Sequence, residues 1–296
     1  MFSTSPAFFV WEPACWLHVS GDDAATFLQG QFTNDLRLLA ESGAVYGLWL
    51  TLKGKVQADG FVLRGGGPNE FWIGSYFSPA ATLVERLESH VIADDVVVRD
   101  ATGEMIGVSL LGEIDVETLQ QRHGAGAFIF AGRRDVGKST EWVTAGTRDT
   151  LTWLAGLDAV ELSAEEMERR RIAAGLPAIP RDLGPADLPH EAGLDTAAIS
   201  YTKGCYLGQE VMARLKSMGQ VRRRLWRVRG DGEFPGPLPA AVFRNGRQVG
   251  ELRTAARDGE RGWIGLAMVT LMHVEPGAEL SWAADASPAL RLEAAP

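Results

Sequence analysis

The most concentrated chemistry in the chain lies in KGCYLGQE, residues 203 to 210. It brings together a thiol (Cys205), an ammonium two residues earlier (Lys203), flanking glycines (Gly204, Gly208), and an amide and a carboxylate (Gln209, Glu210). A helix-forming run, GQEVMARLKS, begins about three residues after the thiol. A cysteine near a helix N-terminus and beside a cation is biased towards thiolate, the nucleophilic and metal-binding form. Glycines at such a place permit tight turns and close backbone approach to a ligand. The residue types alone fit a second reading equally well, with Cys205 as a small apolar filler in a buried turn, because free cysteine is among the most buried residues.

Downstream, Arg214, Lys216, Arg222, Arg223, Arg224, Arg227 and Arg229 place seven basic residues within sixteen. They form either a solvated face or a local anion site, for RNA or a polyglutamate tail. The net charge of -9 argues against broad non-specific binding to nucleic acid. Two cysteines, Cys15 and Cys205, are too few for a disulfide framework and suggest a reducing compartment. They also exclude a four-thiolate iron–sulfur or zinc site supplied by one chain. Histidines 18, 90, 123, 190 and 273 show no local metal-ligand spacing. No Lys or Arg precedes Arg37, and AFFVW is too short to span a membrane, so a cytoplasmic location without membrane contact is expected.

At 296 residues the chain is long for one core and predicts two or three domains. WLHVSG reads as a strand, and DDAATFLQGQFTNDLRLL as a helix, with Ala25, Leu28, Phe32, Leu36 and Leu39 at spacings of three and four. AVYGLWLTL, KVQADGFVLR and EFWIGSYF read as strands, the last two joined across RGGGPN as a hairpin. A helix with Ala80, Leu83, Val84 and Leu87 on one face follows, then strands in ADDVVVRD and EMIGVSLLG. In SAEEMERRRIAAG, Ser163 and Glu166 form a capping box, and Gly175 stops the helix. A proline-rich connection leads to the thiol motif. Beyond residue 225, short strands with Gly and Pro turns predict a small all-β barrel or sandwich. Paired strands and amphipathic helices without a βαβ rhythm give the class α+β.

GRRDVGKS, residues 132 to 139, matches a phosphate-loop pattern. A phosphate loop requires a helix directly after GKS, whose N-terminus faces the phosphates. TEWVTAGTRDTLTWL favours strand and turn instead, so a charged hairpin turn is expected.

KGCYLGQE resembles the signature K-G-C-[FY]-x-G-Q-E of the YgfZ family, folate-binding proteins that support iron–sulfur enzymes. FLQGQFTND (27–35), RRIAAGLP (170–177), PHEAGL (189–194) and ARLKSMGQVRRRL extend the resemblance over residues 17 to 225. The family is related to the aminomethyltransferase, or T protein, of the glycine cleavage system. The resemblance implies a three-domain ring around a channel that takes tetrahydrofolate or a derivative, closed by a C-terminal small β-barrel. The implied domains are 1–50 plus 151–225 (folate-binding), an inserted 51–150, and the barrel, 226–296. It implies Cys205 as the reactive or ligating thiol, Lys203 as its charge partner, and Thr33, Asn34, Asp35, Arg171 and Glu191 along the channel. The implied role is assembly or repair of iron–sulfur proteins, including tRNA-thiolating enzymes, with iron–sulfur client proteins as partners.

Two departures bear on that role. Where the aminomethyltransferase pattern carries an Asp-Asp pair, GKVQADG has Ala58 and then Asp59. The chain also lacks an R-x-G-Y-T-G-E segment, so transfer of a one-carbon unit to tetrahydrofolate is the alternative function and Asp59 its candidate residue. Met167 stands where YgfZ proteins carry an aromatic, which leaves Trp16, Trp49 or Tyr206 to stack on a pterin.

Overall fold

Alternation along Ala44–Leu50 separates two cores. Val45 and Trp49 join Leu28 and Phe32 in one apolar cluster, while Leu48 and Leu50 face another with Ile179, Tyr206 and Leu266. Successive side chains on a strand point to opposite faces, so one strand can serve both cores. The computed structural model describes residues 6–112, 126–135, 139–145, 154, 156, 158–232, 236–260, 262–272 and 274–293.

Three sheets organise these residues. The first is antiparallel, in the order Ala44–Leu50, Val56–Arg64, Glu70–Ser75, Cys15–Ser20, Val97–Asp100. The second runs Val160–Glu161, Ala7–Trp11, Met105–Leu111, Ser139–Ala145, Ala127–Ala131. An aromatic cluster that includes Trp11, Trp16, Phe61, Tyr76 and Phe130 packs the two sheets together. The third runs Ala240–Arg244, Arg247–Asp258, Gly262–Thr270, Arg223–Asp231, Leu290–Leu292, Glu279–Leu280. Paired 2.9 Å hydrogen bonds between Phe243 and Ser281 bring its two edges together, making a nearly closed barrel around Trp263. The α+β class and the C-terminal barrel follow directly.

Sheet pairing continues across the position near 51 where an inserted domain is expected to begin; 146–153, around its expected end, lie outside the described residues. Residues 44–50 and 56–64 form one antiparallel hairpin, and Ala7–Trp11 pairs with Met105–Leu111 in the other sheet. Hairpin strands share a ladder, so a sheet keeps consecutive strands together across position 51.

The expected helix over 22–39 is shorter than its apolar spacing suggests: it spans Ala24–Gln31 and stops at Phe32, which is extended. Thr33 ends it, because its hydroxyl donates to Ala198 O (2.7 Å) and accepts from Leu48 N (2.8 Å). A separate short turn starts at Leu36, capped by the Asp35 carboxylate on Arg37 N. The helix Ala80–Glu88 and the 56–64/70–75 hairpin form as expected. Ser163 caps Ala164–Ala173 by accepting from Glu166 N, and Gly175 adopts φ 70° after it. Residues 127–131 and 139–145 pair antiparallel, so a strand and not a helix follows the phosphate-loop match; 136–138 lie outside the described residues.

Among the described residues, no helix is long and apolar enough to cross a membrane. The helix Gln209–Met218 is joined to the thiol motif through Gly208, at φ 86°. A Cβ there would lie 2.7 Å from Thr51 O, so glycine is needed both for the backbone angle and for contact with the 51–55 turn.

Candidate functional site

The two cysteines have opposite surroundings. Cys15 is fully buried in the first sheet, and burial, reinforced by Asp100 and Asp59, pushes its thiol pKa far up. Cys205 is free and exposed. It stands on a loop outside the first turn of Gln209–Met218, whose N-cap is Gly208. A Cβ added at neighbouring Gly204 would meet no atom within 4 Å, so this tip of the motif is open.

Lys203, by contrast, is only 5% exposed. Its ammonium donates to three backbone carbonyls: Phe32 O (2.6 Å), Gln29 O (2.7 Å) and Asn34 O (2.8 Å). Those carbonyls belong to the end of the helix Ala24–Gln31 and the turn after it, where helix carbonyls lack intrahelical partners. Burial lowers the Lys203 pKa to about 8, against the raising effect of nearby Asp35. The Tyr206 ring lies 5.3 Å from the ammonium, and Leu207 N donates to Gly30 O (3.2 Å). The motif loop is therefore sewn to the 29–34 turn, with the thiol outward. Gln209 is half-buried and Glu210 exposed at the start of the helix that follows.

The same turn leads to Asp59. Asn34 Nδ2 donates to Tyr46 O (2.8 Å), and Tyr46 Oη donates to Asp59 Oδ2 (2.9 Å). Asp59 shares its strand face with Phe61 and Leu63, the face that packs on the second sheet. Ser78 Oγ donates to its other oxygen at 2.7 Å, and Ser75 Oγ lies at 3.4 Å. Burial pushes the Asp59 carboxyl above its ordinary range, against the hydrogen bonds from Ser78 and Tyr46 and the charge of Arg133. The Arg133 guanidinium lies 4.1 Å from the Tyr46 ring centroid. Nearby, buried Glu141 accepts from Ser109 Oγ (2.6 Å), and buried Arg134 lies over the rings of Tyr76 (4.2 Å) and Trp11 (4.6 Å). Burial raises the Glu141 pKa as well, against the charge of Arg134.

Arg171 and Glu191 sit in ion-pair networks apart from the thiol. Buried Arg171 bonds Glu168 (2.8 Å) and Asp182 (2.7 Å). Glu191 accepts from Leu188 N (2.7 Å) and pairs with Arg223 (3.1 Å), which also bonds Asp187 (2.9 Å). Asp187 in turn pairs with Arg253 from the barrel. Asp35 is held by Arg37 and Gln29, and these bonds draw its pKa far down. Of the arginine cluster, Arg223 is engaged in this network and Arg227 donates to Ala173 O (2.7 Å), while Arg222 and Arg224 are exposed. Trp16 and Trp49 are both fully buried, within separate aromatic clusters.

Thus Thr33, Asn34, Asp35, Lys203, Cys205 and Tyr206 gather around one turn, with Asp59 reached through Asn34 and Tyr46. The sequence reading missed Tyr46, Ser75, Ser78, Arg133, Arg134 and Glu141. Nothing in local spacing marks them, because partners 13 to 32 residues apart meet only once separate strands have come together. Among the described residues, no three His, Cys, Asp or Glu side chains converge to hold a metal.

Comparison with known proteins adds to this geometry. Residues 15–128 match the GCVT N-terminal domain, and residues 222–294 the CAF17 C-terminal beta-barrel domain. The crystal structure of glycine cleavage system aminomethyltransferase T from Bartonella henselae has the same fold. Its TM-score is 0.78 at 18% identity, over 98% of this chain and 85% of that one. Fold and domains together define a protein of the aminomethyltransferase T architecture, carrying a CAF17-type barrel. Within that class the chain is a homologue of proteins named YgfZ and IBA57, as the motif resemblance implies. It is 28% identical over 278 residues to the human mitochondrial iron-sulfur cluster assembly factor IBA57, covering 86% of this chain and 74% of that protein. It is 24% identical over 274 residues to the tRNA-modifying protein YgfZ of Escherichia fergusonii, covering 87% and 83%.

Replacing Lys203 by Met leaves three carbonyls without their donor and is expected to cost about 3 kcal/mol in urea unfolding. Glu168 supplies a pH signature. Burial would raise its carboxyl, but the hydrogen bond and charge of Arg171 and the charge of Arg181 outweigh it and hold the pKa at about 2. Because the folded value lies below the ordinary 4.5, this stabilisation is complete above pH 4.5 and is lost as pH falls towards 2. Stability measured from pH 5 to 2 is expected to lose on the order of 2 kcal/mol through this group, a loss absent in Glu168→Gln.

Proposed function

We propose that the protein is a tetrahydrofolate-binding accessory factor for the assembly or repair of iron–sulfur proteins, including tRNA-thiolating enzymes, and that it acts through Cys205. The observation that carries this reading is the exposed thiol of KGCYLGQE, presented on a loop that buried Lys203 anchors. Relatives named as an iron-sulfur cluster assembly factor and a tRNA-modifying protein support the role. One cysteine can donate a single ligand to a cluster shared with a client, or react as a single nucleophile. In this reading Lys203 fixes the thiol's position through the 29–34 turn, and Gln209 and Glu210 contact what the thiol meets.

The donor set around Asp59 suits a reduced folate. A carboxyl and the Tyr46 hydroxyl match the polar edge of a pterin, and the Arg133 guanidinium suits a glutamate carboxylate. Asn34 and Tyr206 stand at the thiol end of that path. Thr33, Asp35, Arg171 and Glu191, whose polar groups are bonded within the protein, shape the surroundings. Exposed Arg222 and Arg224 are the groups for a weak contact with RNA or a polyglutamate tail.

Asp59 also favours a second reading, transfer of a one-carbon unit to tetrahydrofolate. A carboxyl whose pKa burial raises is better suited than an ordinary carboxylate to hold and pass a proton. The two readings separate cleanly. Cys205→Ala is expected to abolish rescue of a cell lacking this activity, assayed by an iron–sulfur enzyme, while thermal unfolding stays within about 2 °C because the residue is exposed. Full rescue by that variant would remove the thiol from the function, and absence of tetrahydrofolate binding by calorimetry would remove the folate. Incubation with aminomethylated carrier protein and tetrahydrofolate is expected to give no methylenetetrahydrofolate above background. Turnover that Asp59→Asn abolishes would establish the second reading instead.

A further inference from the structure

A cavity of about 610 Å³ lies between the turn at 51–55 and the helix Ala80–Glu88. Lys53 and Lys55 line it from the turn, Arg86 and His90 from the helix and the residues after it, and Leu207 from the thiol motif. Arg86 is 5% exposed. Its guanidinium donates to Gln57 Oε1 (2.9 Å), His90 Nδ1 (2.7 Å) and Leu50 O (3.4 Å). An arginine can only donate, so in this contact His90 accepts at Nδ1, a nitrogen that also lies 2.9 Å from Ser89 Oγ and from Arg86 O. None of the three acceptors is a carboxylate, and among the described residues no carboxylate forms an ion pair with Arg86. Burial alone lowers its pKa to about 10.

A buried charge without a counter-charge is costly, and a charge-assisted hydrogen bond to an anion relieves that cost. The surroundings reinforce the sign. Lys53 is exposed at the cavity, Lys55 Nζ donates to Ala186 O (2.9 Å), and Glu85 is the single carboxylate of the lining. This is a local cationic site on a chain whose net charge is -9.

We propose that the cavity binds the carboxylate or phosphate end of a small molecule, with Arg86 as the buried counter-charge and Lys53 and Lys55 beside it. Leu207, on the cavity wall, is two residues from Cys205, so this part of the wall lies within roughly 7 Å of the chain position that bears the thiol. The site does not depend on the folate reading, since none of the residues assigned to folate line it.

Isothermal titration of the intact protein at low salt tests the site, with pyrophosphate and tetra-γ-glutamate as probes. Saturable binding of at least one is expected, weakened about tenfold by Lys53→Glu, strengthened by Glu85→Gln, and reduced by added salt. Both substituted residues are exposed, so the variants retain the fold. Binding of pyrophosphate alone identifies a phosphate source, and binding of the peptide alone a glutamate chain. No saturable binding of either probe, or an affinity unchanged in both variants, overturns the proposal.

Discussion

The contact on which the candidate site depends is the buried Lys203 ammonium, held by the carbonyls of Gln29, Phe32 and Asn34. It joins two segments about 170 residues apart in the chain at a point where neither has regular hydrogen bonding. The helix Ala24–Gln31 ends there with unpaired carbonyls, and the motif loop has not yet entered the helix Gln209–Met218. An ammonium offers three donors without a fixed plane, so it can meet three carbonyls that converge from different directions. With Lys203 inward, the open Gly204–Cys205 tip faces solvent. One interaction thereby sets both the strength of the anchor and the exposure of the thiol.

Other buried charges follow the same logic with different partners. Arg171, Arg223 and Arg253 meet the carboxylates of Glu168, Asp182, Asp187 and Glu191, joining the proline-rich connection to the barrel. Asp59 and Glu141 are instead surrounded mainly by hydroxyls, with a guanidinium nearby, and their carboxyls are raised. Paired charges hold segments in register, whereas poorly compensated ones retain a capacity to exchange protons or to accept an ion. Arg86 belongs to the second kind, with the opposite sign.

Much of the fold was legible in the residues. Period-two runs gave the first sheet and its hairpin, Ser163 and Gly175 gave the helix between them, and the turn-rich tail gave the barrel. The helix expected over 22–39 shows the limit of that reasoning. Its apolar spacing continues through Leu39, yet Thr33 binds Leu48 and Ala198 and breaks the ladder. Periodicity records which side chains are apolar, but a competing hydrogen bond from a distant segment can end an element the pattern would continue.

By itself, the sequence determined the α+β class, the motif with its glycines, and the limit that two cysteines place on any thiolate site. Those properties reside in residue type and near spacing, which the chain carries before it folds. Tertiary structure alone decided that Cys15 is buried and Cys205 open, and that Lys203 serves carbonyls of the 29–34 turn. It also brought Tyr46, Ser75 and Ser78 around Asp59 and left Arg86 bonded to acceptors that include no carboxylate. Burial and long-range partners set the charge state of a side chain, and both exist only once distant strands have met.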